Sequence, residues 1–432
     1  MQENHHFRFT SVKAGEGVSA HVLPTRKFKT TTICLIIGRD LDERASHAAL
    51  LGEVLKRGSA KYPDMRAIAG QTEEMYGASF GCGVSRIGGK QALVLRLIMP
   101  NEHFLPARTR LLERGFDFIE EMLLRPLASA GAFNKDVVRR EKTNLQARIA
   151  SLVNSKFEYA QRRCIEEMCR RERFRFYEYG NVEGIARLTP RMLFTFYGEL
   201  LETRPVDVYV VGDVDERKVV ERVRRMMKGR RPGDYLFAAP EPEPSPRRPR
   251  TVTEKQEMEQ TRLCVGLRTH TAVRNADFPA AMMYDVLLGG YSHSRLFRVI
   301  REKEGLAYDV YSHIEDSKGL MIITAGLEKR NLKKALRIIG EQMAGLRAGR
   351  ISRDEMAKTR KNAVTRFMSI ADLPLLLIQD HYSEMVNGAV ACLDEWVERI
   401  KGVTAADVKA IAEKVTVDTI YVLEPRGKKR TR

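Results

Sequence analysis

The chain has 432 residues and 43% hydrophobic content, which is globular and longer than a single core ordinarily sustains, so two or more domains are expected. No run approaches the roughly 18 apolar residues of a membrane span, and the polar start MQENHHFRFTSVKAGEG has no apolar signal core. The net charge of +18 favours acidic partners. Yet the excess gathers in RRERFR (170–175), RRPR (247–250) and the tail from Arg426, without a nucleic-acid motif, so neither membrane nor nucleic acid is the expected partner.

Taken in order, TTICLIIG (31–38) reads as a strand and AALLGEVL (48–55) as a helix stopping near Gly58. QALVLRLIMP (91–100) is a second strand, which as a sheet edge would accept an extended peptide. LLERGFDFIEEMLL (111–124) and KDVVRREKTN (135–144) have helical period. RFRFYEYGN interleaves arginines with aromatics, a pattern that fits either single-strand binding or a helix end packing its rings inward. Six of the 16 prolines fall within 229–250, a semi-rigid connector by composition. Beyond it, TRLCVGLR (261–268) and GLMIITAGL (319–327) read as strands, and LKKALRIIGEQMAGL (332–346) as a helix. The six cysteines (34, 82, 164, 169, 264, 392) form no Cys-x-x-Cys pair, which points to a reducing compartment and a cytoplasmic location.

The two sides of the connector repeat each other. The helix from Ala48 parallels that from Ala280, KDVVRREKTN parallels RDEMAKTRKN (353–362), and the helix-then-strand ending from Leu188 parallels that from Val403. Three matches in one order are unlike chance. The expected fold is therefore α+β: an N-terminal half (1–228), the Pro/Arg-rich linker (229–250) and a homologous C-terminal half (251–432), each a mixed, mainly antiparallel sheet with helices packed on it.

The richest stretch is 284–311, YDVLLGGYSHSRLFRVIREKEGLAYDVY. It reads as a helix, a break at Gly289-Gly290, a helix carrying Arg301, a stop at Gly305 and a strand opening with Tyr308. That turn can aim a guanidinium and a phenol as fixed donors toward one carbonyl oxygen. Locally, Arg301 could equally cap a helix end, Tyr308 could be a core residue, and the glycines could be only a helix stop or admit a substrate backbone.

This segment resembles the insulinase-like (M16) metallopeptidases, whose C-terminal half carries Gly-Gly…Ser-Arg-Leu-Phe…Arg-x-Lys-x-Gly-Leu-Ala-Tyr. The resemblance covers nearly the whole chain and implies that Arg301 and Tyr308, with Gly289 and Gly290, bind substrate. Active members hold zinc through His-x-x-Glu-His on the first helix and a later Glu. Two histidines four apart share a helix face, and the motif's Glu takes a proton from the metal-bound water. Aligned through VLKRGSAKYP, this chain has Ala49, Gly52 and Glu53 at those positions, and within REKTNLQARIA Arg148 falls near the distal Glu. His47 has no second His at helical spacing, and adjacent His5-His6 is the one metal-spaced pair.

The resemblance thus implies no zinc in this chain and a homologous, zinc-containing M16 partner. HVLPTRKFKTTTICL and EEMYGASF bring it nearest the zinc-less insulinase-like proteins associated with elongation factor P aminopentanol modification. The function expected is a non-catalytic, substrate-holding subunit of a heterodimeric peptidase acting on extended peptides. Its rivals are a zinc peptidase with unrecognised ligands, a translation-associated or nucleic-acid-binding scaffold, and a purely structural partner.

Overall fold

The computed structural model describes residues 7–106, 109–229, 248–389 and 391–426. Most of the expected linker, His5-His6 and the tail after Arg426 lie outside the described residues.

The first lobe is built on strands β1 (Thr10–Gly15), β2 (Val18–Pro24), β3 (Thr30–Asp40), β4 (Ser79–Ile87) and β5 (Lys90–Pro100). A short hairpin of β6 (Ala128–Ser129) and β7 (Ala132–Phe133) precedes β8 (Val206–Gly212). Its helices are α1 (Ala45–Leu55), α2 (Met65–Glu74), α3 (Leu111–Leu124), α4 (Lys135–Ser151), α5 (Lys156–Met168), α6 (Val182–Arg187), α7 (Pro190–Thr203) and α8 (Glu216–Met226). The second lobe has β9 (Arg250–Gln256), β10 (Thr261–Arg268), β11 (Ala307–Glu315), β12 (Leu320–Leu327) and β13 (Thr416–Pro425). Its helices are α9 (Phe278–Leu288), α10 (Leu332–Arg347), α11 (Arg353–Ile370), α12 (Pro374–Asn387), α13 (Leu393–Gly402) and α14 (Ala405–Lys414).

The first sheet runs β1-β2-β8-β3-β5-β4 and the second β11-β12-β10-β13-β9. Apart from β1, each strand of one has a counterpart in the other: β2 with β9, β8 with β13, β3 with β10, β5 with β12 and β4 with β11. The single parallel pair is β2–β8 in one lobe and β13–β9 in the other, and every other pairing within the two sheets is antiparallel. The repeat seen in the sequence is therefore a repeat of topology. One expectation is corrected. Strand β5, which covers the 91–100 run, is paired on both sides, with β3 and β4, so it offers no free edge. The edge is β4.

Strand β3 is a continuous apolar run because both faces of its sheet are covered. On one face lie the lobe's own helices, among them α1, which is buried nearly all round. On the other lies α12, which belongs to the second lobe by sequence: Leu377, Ile378 and Tyr382 pack on Cys34, Ile36, Tyr209 and Val211. The exchange is mutual. Helix α5 of the first lobe lays Ala160 and Cys164 on Cys264, Tyr421 and Leu423 of the second sheet. Gly266 permits that approach, since a Cβ there would stand 2.7 Å from Met168 Sδ. Beyond α5, Glu172 pairs with Arg268 at 2.7 Å and Lys318 at 2.6 Å, and Arg268 pairs with Asp418 at 3.0 Å, all four side chains buried.

Candidate functional site

Helix α1 meets the β4 edge at Gly52. A Cβ on Gly52 would lie 2.9 Å from Gly83 Cα, so glycine is what lets the helix settle against this strand. Ala49 is buried in the core beneath the same helix. Glu53, one residue on from Gly52, is buried, and its carboxylate is claimed twice. Arg148 Nη1 on α4 donates to Oε1 at 3.2 Å, and Lys56 one turn away pairs with Oε2. Arg148 also stacks over Tyr179, 4.5 Å from the ring centroid. The two positions aligned with a metal ligand and a distal carboxylate thus come together, and they meet as an ion pair. Two cations facing one carboxylate oppose rather than attract Zn²⁺.

This ion pair lines a cleft of about 490 Å³. Its floor is the β4 backbone from Gly81 to Ser85, with Ile36 and Val94, and α12 closes it with Leu375, Ile378 and Tyr382. Two thiols, Cys34 and Cys82, line it as well, and burial pushes both up to about 12, so neither is a thiolate near neutral pH. Among the described residues no group of three or more His, Cys, Asp and Glu side chains is arranged to hold a metal ion. His47 is half-buried against Phe196 rather than on the open surface, and burial first, then Arg44 and Arg39, lowers its pKa.

The second candidate region sits at the matching place in the other lobe. Helix α9, equivalent to α1, ends at Gly289-Gly290 against β11, the edge strand equivalent to β4. A Cβ on Gly289 would stand 2.6 Å from Ser312 Oγ and one on Gly290 3.0 Å from Val286 Cα. The close approach at both glycines is therefore to this chain's own atoms, and the Gly289 carbonyl accepts from the Ser312 N–H at 3.0 Å. Beneath them Asp285, the counterpart of Glu53, is fully buried and accepts from Ser312 Oγ at 2.6 Å. Burial raises its pKa.

Arg301 lies in a π-helical stretch, Phe297–Lys303, a distortion common at functional sites. Its neighbour Arg295 is anchored to Glu355 at 3.0 Å, which fixes the start of the turn. Gly305, at φ 59°, reverses the chain into β11. The register of β11 on β12 slips between Ala307 and Asp309, leaving Tyr308 as a bulge that is 64% exposed. Bulges re-aim a side chain out of the ladder. Arg301 is exposed too, its guanidinium 4.8 Å from the Phe297 centroid. Among the described residues neither the Arg301 nor the Tyr308 side chain takes a hydrogen bond or ion pair, with the other or with any third residue.

The arginine–aromatic stretch packs inward: Phe174 is buried under Arg86, and Arg162 covers Tyr177 at 3.9 Å. Among the described residues no helix is long and apolar enough to cross a membrane.

The family model of the peptidase M16 inactive domain matches residues 187–363. The probable inactive metalloprotease YmfF of Bacillus subtilis is 29% identical over 409 residues, covering 94% of this chain and 96% of that protein. An uncharacterized zinc protease of the same organism, YmxG, is 28% identical over 182 residues, 41% of this chain and 44% of that one. A crystal structure of a conserved protein from Enterococcus faecalis superposes with a TM-score of 0.90 at 27% identity, covering 98% of this chain and 100% of the other. The peptidase M16 inactive domain from Pseudomonas fluorescens shares the fold at a TM-score of 0.80, with 17% identity and 98% and 99% coverage. The chain is thus a homologue of the insulinase-like M16 metallopeptidases, and the relative matched along nearly its whole length is described as a probable inactive metalloprotease.

Proposed function

We propose that this chain is the non-catalytic, substrate-holding subunit of a heterodimeric M16-type peptidase, with a homologous partner chain supplying zinc. One observation carries the reading. The positions aligned with a zinc ligand and the distal carboxylate hold the Glu53–Arg148 ion pair, while Arg301 and Tyr308 are exposed and make no hydrogen bond or ion pair among the described residues. A side chain kept solely for packing would be buried or bonded, and these two are neither. Their role is to donate hydrogen bonds to a peptide carbonyl as it becomes an oxyanion on the partner's metal. The substrate is an extended polypeptide, matched to a chain whose two lobes both end in an edge strand.

The rival in which this chain is a zinc peptidase by itself has less support, because Glu53 is bound to two cations. None of the relatives named above mentions elongation factor P, and the donor role is independent of that likeness. The test is to mix the chain with a homologous M16 chain bearing intact His-x-x-Glu-His and follow cleavage of an unfolded polypeptide. Arg301→Ala and Tyr308→Phe should each lower kcat by about 100-fold, the scale of losing one oxyanion donor. Unchanged cleavage in a mixture that still associates refutes the donor role.

A further inference from the structure

The first lobe's sheet carries a polar constellation that the peptidase reading does not use. Ser11 on β1 is the direct cross-strand partner of His21 on β2, and Asp207 on β8 stands two residues before Tyr209, the partner of His21 on that side. Ser11 Oγ lies 2.8 Å from His21 Nδ1, and His21 Nε2 lies 2.9 Å from Asp207 Oδ1. A carboxylate only accepts, so Nε2 carries the ring proton and Nδ1 is left to accept from the serine hydroxyl. The ring is pinned: Tyr209 stacks on it at 4.4 Å and His381 flanks it at 5.4 Å. His21 and Asp207 are buried, whereas Ser11 is exposed. An exposed hydroxyl needs no protein partner, and this one is held in line with a buried base and an orienting carboxylate.

We infer that Ser11 is a nucleophilic serine that accepts an acyl group from a small activated ester, with His21 as general base and Asp207 as a positioning residue. Ser11 Oγ bonds to the acyl carbon as its proton passes to His21 Nδ1. The oxyanion collapses, the ester C–O bond breaks, and the alcohol departs with the proton from Nδ1. Water then repeats the sequence and frees the carboxylic acid. Strand β1 is a sheet edge, so every second N–H on it faces away from β2 and can donate to the oxyanion. Lys13, exposed and two residues along the same strand face, adds a cation there.

The test uses the full chain and a fluorophosphonate probe read by mass spectrometry. Ser11 should be phosphonylated, with loss of HF, about 100-fold faster than Ser369, an exposed serine whose hydroxyl donates to its own helix at Arg366. Ser11→Ala should abolish both that adduct and the burst of p-nitrophenolate from p-nitrophenyl acetate. Labelling should also slow in Asp207→Asn if that variant folds. Equal rates at Ser11 and Ser369, or a burst that survives Ser11→Ala, would each leave a purely structural ladder and overturn the inference.

Discussion

Restoring a metal motif here meets an obstacle that ligand chemistry does not reveal, and Gly52→Ala isolates it. In an open helix interior, alanine gains about 1 kcal/mol over glycine, and burying its methyl adds roughly 0.8 kcal/mol. At Gly52 the new Cβ would stand 2.9 Å from Gly83 Cα, 3.2 Å from Gly83 C and 3.3 Å from Leu93 Cδ1. Carbon pairs prefer about 3.5–4.0 Å, so α1 and β4 must part by roughly 0.6 Å or more. Overpacking of this kind costs about 1–3 kcal/mol, and an obstacle made of hydrogen-bonded strand backbone belongs at the upper end. The cost wins, and a net loss of about 1 kcal/mol is expected. Gly70 is the control: it lies in α2 with nothing within 4 Å of its Cβ position, so Gly70→Ala should stabilise by about 1 kcal/mol. Urea denaturation midpoints of the two variants should move in opposite directions. If Gly52→Ala is stabilised as Gly70→Ala is, the close seat of α1 on β4 is not real. Rebuilding the motif through Ala49→His, Gly52→Glu, Glu53→His and Arg148→Glu would then be a matter of ligands alone.

Glu172→Gln removes the anion that Arg268 and Lys318 share in a buried site, and Arg268 retains Asp418 while Lys318 loses its charge partner. A loss of about 3 kcal/mol is expected in the same assay. Burial pushes the Glu172 carboxyl up, but the ion pairs outweigh it and hold its pKa below the usual range. Its contribution is therefore present above the ordinary carboxylate range and lost as pH falls below it. Glu384 behaves oppositely: burial, with Asp380 beside it, raises it to about 8. The folded state then holds a proton that the unfolded chain has released, so stability falls as pH rises from about 4.5 to about 8 and levels off above that, and Glu384→Gln should flatten that slope in pH-dependent melting. Arg148→Ala should cost under about 1 kcal/mol in urea denaturation, since Arg148 is half-exposed and Glu53 keeps Lys56.

Much of this architecture is legible in the chain itself. The apolar runs at 261–268 and 111–124 form β10 and α3 with the same bounds, because periodicity reports which face is buried. Glu53, aligned through VLKRGSAKYP, and Arg148, within REKTNLQARIA, meet at 3.2 Å. What periodicity does not report is the surface a buried face meets. Helices α5 and α12 each cover the other lobe's sheet, which no local pattern announces. A free edge at 91–100 fails because strand order is a long-range property, absent from the alternation of side chains. The π-helical turn at 297–303 arises from a shifted hydrogen-bond ladder with no composition of its own. Asp207 stands 186 residues from His21, and no local pattern joins them.

The mutual clasp of α5 and α12 makes the two lobes interdependent for folding. A cut engineered into positions 230–247 would yield two fragments that still migrate as one particle under native conditions, because each retains a helix seated on its neighbour's sheet. Produced separately, neither fragment would be a sound domain. Each would display a bare apolar sheet and an orphaned helix with nothing to cover, and solubility would return only on co-expression.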